Sequence, residues 1–314
     1  MIKIAIVSPC YNEESIIQKS AEILSSTIED LVNKGKISCD SLILYVNDGS
    51  EDDTWDVISS ESRKNKYVCA INLRNNVGHQ NAILAGMMEI YNEVDAVVTI
   101  DADIQDDVLA IEQMIDEYAK GADIVYGIKT QRKADPVFKK ISAKAFYRLQ
   151  KMCGISIVDD HADFRLMSRN AIVELARYTE RNIYLRGIIP AMGLKSATVK
   201  DVIKPRIGGN TKYSISKMFH LACDGITSFS NTPINFILYI GIFMMLMALG
   251  MFVYVIGSIL FNYTTPGWAS ILMSLWFIGS VITLSIGIIG IYIGKIYIEV
   301  KNRPLYSIRN KIGF

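Results

Sequence analysis

No Asp, Glu, Lys or Arg occurs in the 69 residues from Ile226 to Gly294. The surface of a water-soluble domain is where charged side chains reside, so a stretch this long without one belongs in a membrane. Within it, Phe236 to Phe261 and Trp268 to Ile293 are apolar runs, each longer than the ~20 residues that cross a bilayer. Between them Asn262 to Gly267 is a tight polar turn flanked by the aromatic anchors Tyr263 and Trp268. A two-span hairpin is expected, with a buried helix pair as the alternative that the missing charges disfavour. Other absences narrow the chemistry. Neither a G-x-G-x-x-G sequence nor a Walker A sequence occurs, so no glycine cradle holds a phosphate. The five cysteines are dispersed with no C-x-x-C pair, which excludes a zinc ribbon and leaves free thiols. Three histidines, His79, His161 and His220, lack ligand-like spacing and read as surface or core residues. A net charge of +1 gives no sign of a nucleic-acid partner.

The charges that are present are placed unevenly. After the second apolar run come Lys295, Lys301, Arg303, Arg309 and Lys311 against the single Glu299, while the turn between the runs has none. Cations concentrate on the cytoplasmic side of a membrane, so both termini are expected there. The first residues, Met-Ile-Lys-Ile-Ala-Ile-Val, are strand-like and too short for a signal peptide.

Over the first 130 residues short β-branched runs alternate with helical periodicity. Strands are expected at Ile2–Ser8, Ser41–Asn47, Tyr67–Leu73, Asp95–Ile100 and Asp123–Gly127, with helices between them. This is an α/β pattern with a mainly parallel sheet covered on both faces. Polar motifs follow the first four strands: Pro9-x-Tyr11-Asn12-Glu13, Asp48-Gly49-Ser50, Arg74-Asn75-x-x-Gly78 and Asp101-x-Asp103-x-Gln105. Ligands of open α/β sheets bind at the carboxyl ends of the strands. Two carboxylates one residue apart, with an amide two further on, suit a hard divalent cation that keeps waters and substrate phosphates as its other ligands. A helix-capping turn is the alternative for each motif taken alone.

In this order and spacing the four motifs resemble the inverting family-2 glycosyltransferases of the GT-A fold. Asp163-Phe-Arg-Leu166, Tyr184-Leu-Arg-Gly187 and Arg206-x-Gly-Gly-Asn-Thr-Lys-Tyr213 extend the resemblance to the polyprenyl-phosphate branch, which contains dolichyl-phosphate mannose synthase and the bactoprenol glucosyltransferases. The resemblance implies that Pro9, Tyr11 and Glu13 line the base and ribose pocket and that Asp48 accepts a hydrogen bond from the nucleobase. It further implies Asp101 near the ribose and metal, with Asp103 and Gln105 coordinating Mg²⁺ or Mn²⁺ at the diphosphate. Arg74 is placed near the nucleotide, with a solvated loop cation as its alternative. Asp163 is a catalytic candidate along with Asp103, either as a base or as an orienting carboxylate; an ion pair with Arg165 is its structural alternative.

The implied partners are a nucleoside diphosphate sugar, with UDP-sugar ahead of GDP-sugar, and a polyprenyl (undecaprenyl) phosphate. Glucose from UDP-glucose is the sugar first expected, delivered for cell-envelope glycosylation. The lipid phosphate needs cations, and Arg132, Ser142, Arg206 and Lys212 are the residues expected to bind it. Lysine replaces much of the arginine that relatives carry after the fifth strand, and it acts there as a point charge instead of a bidentate partner. The expected organisation is a GT-A domain over 1–212, an interfacial amphipathic helix and linker over 213–233, two transmembrane helices over 234–298 and a basic tail over 299–314. This is a multi-pass protein of a bacterial-type inner membrane with its catalytic domain cytoplasmic. Gly279, Ser280, Ser285, Gly287 and Gly290 would permit close helix packing in a homo-oligomer. A processive polysaccharide synthase is the competing enzyme, against which stands the missing Gln-x-x-Arg-Trp motif; a catalytically idle membrane scaffold is the competing class.

Overall fold

The computed structural model describes residues 1–129, 161–181, 183–202 and 267–314, with isolated helical positions between 234 and 254. Strand β1 (Ile4–Cys10) is buried at all seven positions, as a strand covered on both faces must be. It pairs in parallel with β2 (Leu42–Asn47) on one side and β4 (Ala96–Thr99) on the other, and β2 pairs in parallel with β3 (Val68–Leu73). The crossovers are α1 (Glu14–Asn33), α2 (Thr54–Lys64) and α3 (His79–Ile90), followed after β4 by α4 (Ala110–Ala119). On α1, Ile17, Ala21, Leu24, Ile28 and Leu31 recur at three- and four-residue spacing and are buried, which is the stripe a surface helix lays on a sheet.

Strands β5 (Ile124–Lys129), β6 (His161–Ser168), β7 (Ser196–Asp201) and β8 (Ile308–Ile312) complete an eight-stranded sheet of order β7-β5-β6-β4-β1-β2-β3-β8. Six strands run parallel; β6 is antiparallel to β4 and β5, and β8 to β3. The α/β class with a mainly parallel sheet therefore holds. Strand and helix alternate over the first 130 residues as expected; beyond them β6 returns in space between β4 and β5 and brings its own polar residues to the carboxyl edge. One apolar cluster fills the face under α1, α2 and α4, and a second fills the face under α3, α5 (Arg169–Leu175) and α6 (Leu185–Ala191). Helix α3 lies so close that a Cβ on Gly86 would come 2.4 Å from Val7 Cγ1 and 2.8 Å from Val46 Cγ2. Only glycine lets the helix reach the sheet there.

The last helix, α7 (Trp268–Lys301), has 34 residues, enough for about 50 Å at helical rise. Its segment Phe277–Lys301 is, among the described residues, the one helix long and apolar enough to cross a membrane, and Phe277, Ile282, Ile286 and Ile293 stand exposed on it. Of the first apolar run only isolated helical positions are described, so the two-span hairpin and the interfacial helix lie outside the described residues. Asn302, in the left-handed region at φ 46°, ends α7 ahead of Pro304. Within residues 299–314, expected as a basic tail, β8 forms, and Leu305, Tyr306 and Ile308 pack against the core beneath α3.

Candidate active site

Strand order reverses at β1, whose neighbours β2 and β4 lead the chain in opposite directions; the crevice at their carboxyl ends is where an open α/β sheet binds its ligand. On the β1–β3 side of that crevice the loops are tied to one another through backbone N–H groups and neutral side chains. Asn12, at φ 53°, donates its N–H to Ser50 Oγ (3.0 Å), and its side-chain carbonyl accepts from the Glu51 N–H (2.9 Å). Ser50 Oγ donates to Asn47 Oδ1 (2.6 Å), and Asn47 Nδ2 donates to Asn72 Oδ1 (2.9 Å). Glu13 N–H donates to Thr54 Oγ1 at 2.9 Å.

Asp48 is buried, and its carboxylate accepts from the backbone N–H groups of Val77 (2.7 Å) and Gly78 (3.0 Å). Burial pushes its carboxyl up, while those two N–H groups and the charge of His79 pull the other way. Gly49, at φ +62°, has the Asn75 and Asn76 backbone 2.6 Å from where a Cβ would stand. Pro9 is buried beneath the loop, while Tyr11 and Arg74 are exposed at its rim.

The acidic stretch leaves β4 as a tight turn. Ala102, Ile104 and Asp106 are buried and alternate with the partly exposed Asp101, Asp103 and Gln105, which therefore share the open side. Ile104 sits at φ 44°, an unusual conformation for a β-branched residue, held there by its buried side chain and by its N–H bond to the Asp101 carbonyl (3.1 Å). Gln105 Nε2 donates to Asp103 Oδ2 at 2.7 Å, so in this arrangement the amide orients the carboxylate. Asp106 meets Lys129 Nζ at 3.3 Å, and burial, opposed by Lys129 and reinforced by Asp101 and Asp201, pushes its carboxyl up to about 7. Asp107 N–H donates to Asp201 Oδ1 (2.8 Å), which fastens the far end of the turn to β7.

The antiparallel register of β6 on β4 pairs Arg165 with Thr99, and Thr99 Oγ1 donates to the Asp163 carbonyl (2.5 Å), which brings Asp163 to the end of β4 that Asp101 follows. His79, the first residue of α3, stands between them, with Nε2 3.4 Å from Asp101 Oδ1 and 3.5 Å from Asp163 Oδ2. Arg186 donates to Asp163 through Nη2 (2.8 Å) and Nε (3.2 Å), and Arg165 Nη2 donates to it at 2.7 Å. Burial disfavours the Asp163 anion, yet Arg186, the hydrogen bond from His79 and Arg165 together hold its carboxyl well below the usual range. Burial also opposes charge on His79, and it too is outweighed: the hydrogen bond to Asp163 and the charges of Asp101 and Asp163 raise it to about 9. Asp101 is raised, first by burial, with His79 lowering it and Asp163 and Asp103 raising it.

His79, read from the sequence as a surface or core residue, is thus a site residue. Its partners lie 22 and 84 positions away, so no local spacing could reveal it. The available signal was its place after Gly78, on the same sheet edge as the other motifs. Arg165 makes the ion pair with Asp163 that the sequence offered as an alternative, while Arg186, inside the Tyr184-Leu-Arg-Gly187 motif, carried no role of its own. Arg132, Ser142, Arg206 and Lys212 lie outside the described residues.

Among the described residues no three His, Cys, Asp or Glu side chains converge as a ready metal cage. Asp101 and Asp103 nonetheless fit a hard divalent cation. They are carboxylates that repel each other, partly exposed on one open side, and such a cation draws its remaining ligands from water and phosphate.

Residues 5–175 match the family model described as glycosyl transferase family 2. The chain is 45% identical to the uncharacterized glycosyltransferase YkoT of Bacillus subtilis, over 97% of this chain and 90% of that protein. It is 34% identical to the prophage bactoprenol glucosyl transferase homolog of Escherichia coli, covering 98% and 99% of the two chains. Identity to the bactoprenol glucosyl transferase of Shigella phage SfII is also 34%, covering 98% of each.

Proposed function

The chain belongs to glycosyl transferase family 2, a glycosyltransferase of GT-A-like α/β fold, and we propose that it moves a hexosyl unit from a nucleoside diphosphate sugar to a polyprenyl phosphate at the cytoplasmic membrane face. UDP-glucose is the proposed donor, by likeness to relatives named bactoprenol glucosyl transferases. The observation that carries this reading is the grouping of Asp101, His79, Asp163 and Arg186 at the switch point of the sheet, in a chain whose helix α7 is apolar enough to span a membrane.

In the proposed reaction a phosphate oxygen of the lipid attacks the anomeric carbon, the bond from that carbon to the donor diphosphate breaks, and the configuration inverts. A phosphate monoester has its second pKa near ~6, so the nucleophile is largely dianionic at neutral pH without a base. Asp163, held as an anion by three cations, is a poor proton acceptor and serves to orient Arg186 and His79. Those two cations are proposed to neutralise phosphate charge as it gathers. Pro9, Tyr11 and Glu13 are proposed to line the base and ribose pocket, Asp48 to use its remaining lone pairs on the nucleobase, and Arg74 to meet the nucleotide from the rim. Asp101 and Asp103, with Gln105 orienting the latter, would hold Mg²⁺ or Mn²⁺, which when bound supplies Lewis-acid neutralisation of the leaving diphosphate. Arg132, Ser142, Arg206 and Lys212 remain the proposed acceptor-phosphate residues.

The test is transfer of radiolabel from UDP- and GDP-sugars to undecaprenyl phosphate by purified protein with Mg²⁺ or Mn²⁺. Metal-dependent product from UDP-glucose is expected. No product from any common UDP- or GDP-sugar would overturn the proposal.

A further inference from the structure

Glu299 is the only acidic residue after Asp224, and it lies in the last turn of α7. An acid at a helix C-terminus opposes the helix dipole, and a cytoplasmic membrane flank favours cations, so anchoring in the bilayer does not account for it. Its contacts do. Both carboxylate oxygens accept from the backbone N–H of Arg181, at 2.8 and 3.0 Å. One turn on, Asn302 Oδ1 accepts from the guanidinium of the same Arg181, through Nε at 2.9 Å and through Nη2. The end of the membrane helix therefore grips one residue of the catalytic domain by backbone and side chain together.

Arg181 leads into α6. Leu185 N–H donates to Gln80 Oε1 (2.7 Å) at the start of α3, beside His79, and the next residue, Arg186, supplies two of the hydrogen bonds that hold Asp163. Beyond the helix the chain is tied to the same place again. Ser307 carbonyl accepts from Arg74 N–H (2.8 Å), and Leu305, Tyr306 and Val77 each pack against the same core cluster beneath α3. Both ties end on the loops that surround the N-terminus of α3.

We infer that the last turn of α7 is a positioning element for the transfer site, in which Glu299 and Asn302 fix Arg181 so that Arg186 reaches Asp163. Turnover then depends on the membrane helix being seated against the domain. This rests on the reading of Asp163 and Arg186 as transfer-site residues. Glu299 touches no reacting atom, and its effect passes through the backbone from Arg181 to Arg186.

The test compares full-length wild type, Glu299→Ala and Glu299→Gln in lipid nanodiscs. Glutamine keeps one acceptor oxygen for the Arg181 N–H, and alanine keeps none. Glu299→Ala is expected to lower kcat about tenfold, as loss of orientation does, with nucleotide Kd changed by less than about twofold. Glu299→Gln should recover most of that loss. Hydrogen exchange of the peptide containing Leu185 and Arg186 should quicken in the alanine variant alone, with β1–β4 peptides unchanged. Unchanged exchange in that peptide would overturn the inference, as would faster exchange spread over the whole sheet. A wild type that transfers no sugar would remove the proposed function, while the exchange comparison would still decide the positioning role.

Discussion

The two sides of the crevice are built from different chemistry. Toward β2 and β3, the loops are joined by neutral or backbone hydrogen bonds: Asn12 to Ser50 and Glu51, Asn47 to Asn72, and Asp48 to Val77 and Gly78. Toward β4 and β6, the ties are mostly between ions: His79 with Asp101 and Asp163, Arg186 and Arg165 with Asp163, beside the amide of Gln105 on Asp103. Ties to backbone N–H groups and neutral side chains, satisfied within the protein, hold a shape whether or not a ligand is present. A cluster of partly exposed charges is completed or rearranged by the charges of what binds. The first side suits a base and ribose, which are neutral; the second suits diphosphate, metal and lipid phosphate.

Breaking the ionic side at its buried centre should have the largest effect. Asp163→Ala leaves Arg165, which is 1% exposed, without its carboxylate partner; an unpaired buried charge costs about 3–5 kcal/mol. A lowered Tm in detergent, with loss of transfer, is expected. Asp103→Ala should spare stability and cut metal-dependent transfer about a hundredfold, since the charge neutralisation a metal supplies is worth several kcal/mol. Steady-state kinetics at saturating Mg²⁺ and Mn²⁺ would show it.

On the neutral side, Gly49→Ala forces a Cβ toward the Asn75 and Asn76 backbone at a left-handed position. A cost of about 1–3 kcal/mol is expected, seen as weaker nucleotide binding without a change in pH dependence. The smallest effect concerns His79 in metal-free protein. Its pKa, about 9 in the fold, exceeds the ~6.5 of an unfolded histidine. Its contribution to stability is therefore fully present below pH ~6.5 and lost as pH rises toward 9. Its side chain is 43% exposed, so the loss should be modest; thermal melts across that window should show a decline that His79→Gln removes.

Much of this division was legible in the sequence, and the reason differs by element. β1 to β4 could be read because each is a short apolar run followed by a polar motif, and the parallel pattern placed all four motifs on one edge. β6 and β8 could not, since their places depend on long-range pairing: β6 enters between β4 and β5, and β8 returns from beyond α7 to β3. Asp101 and Asp103 were visible as a pair. The partnership of Asp101 with Asp163 needed the β4–β6 register, and His79 needed both. Glu299 showed in sequence only as a lone acid among cations, and its partner Arg181 lies 118 residues earlier.

The division is tested most directly by calorimetric titration of UDP into the full-length protein, with Mn²⁺ and again with a chelator, alongside hydrogen exchange of the β1–β3 loops. Affinity at least about tenfold higher with the cation, a difference of about 1.4 kcal/mol, is expected, with those loops equally protected in both conditions before UDP is added. Equal affinity with and without the cation, or loops that become protected only when the cation is present, would contradict it.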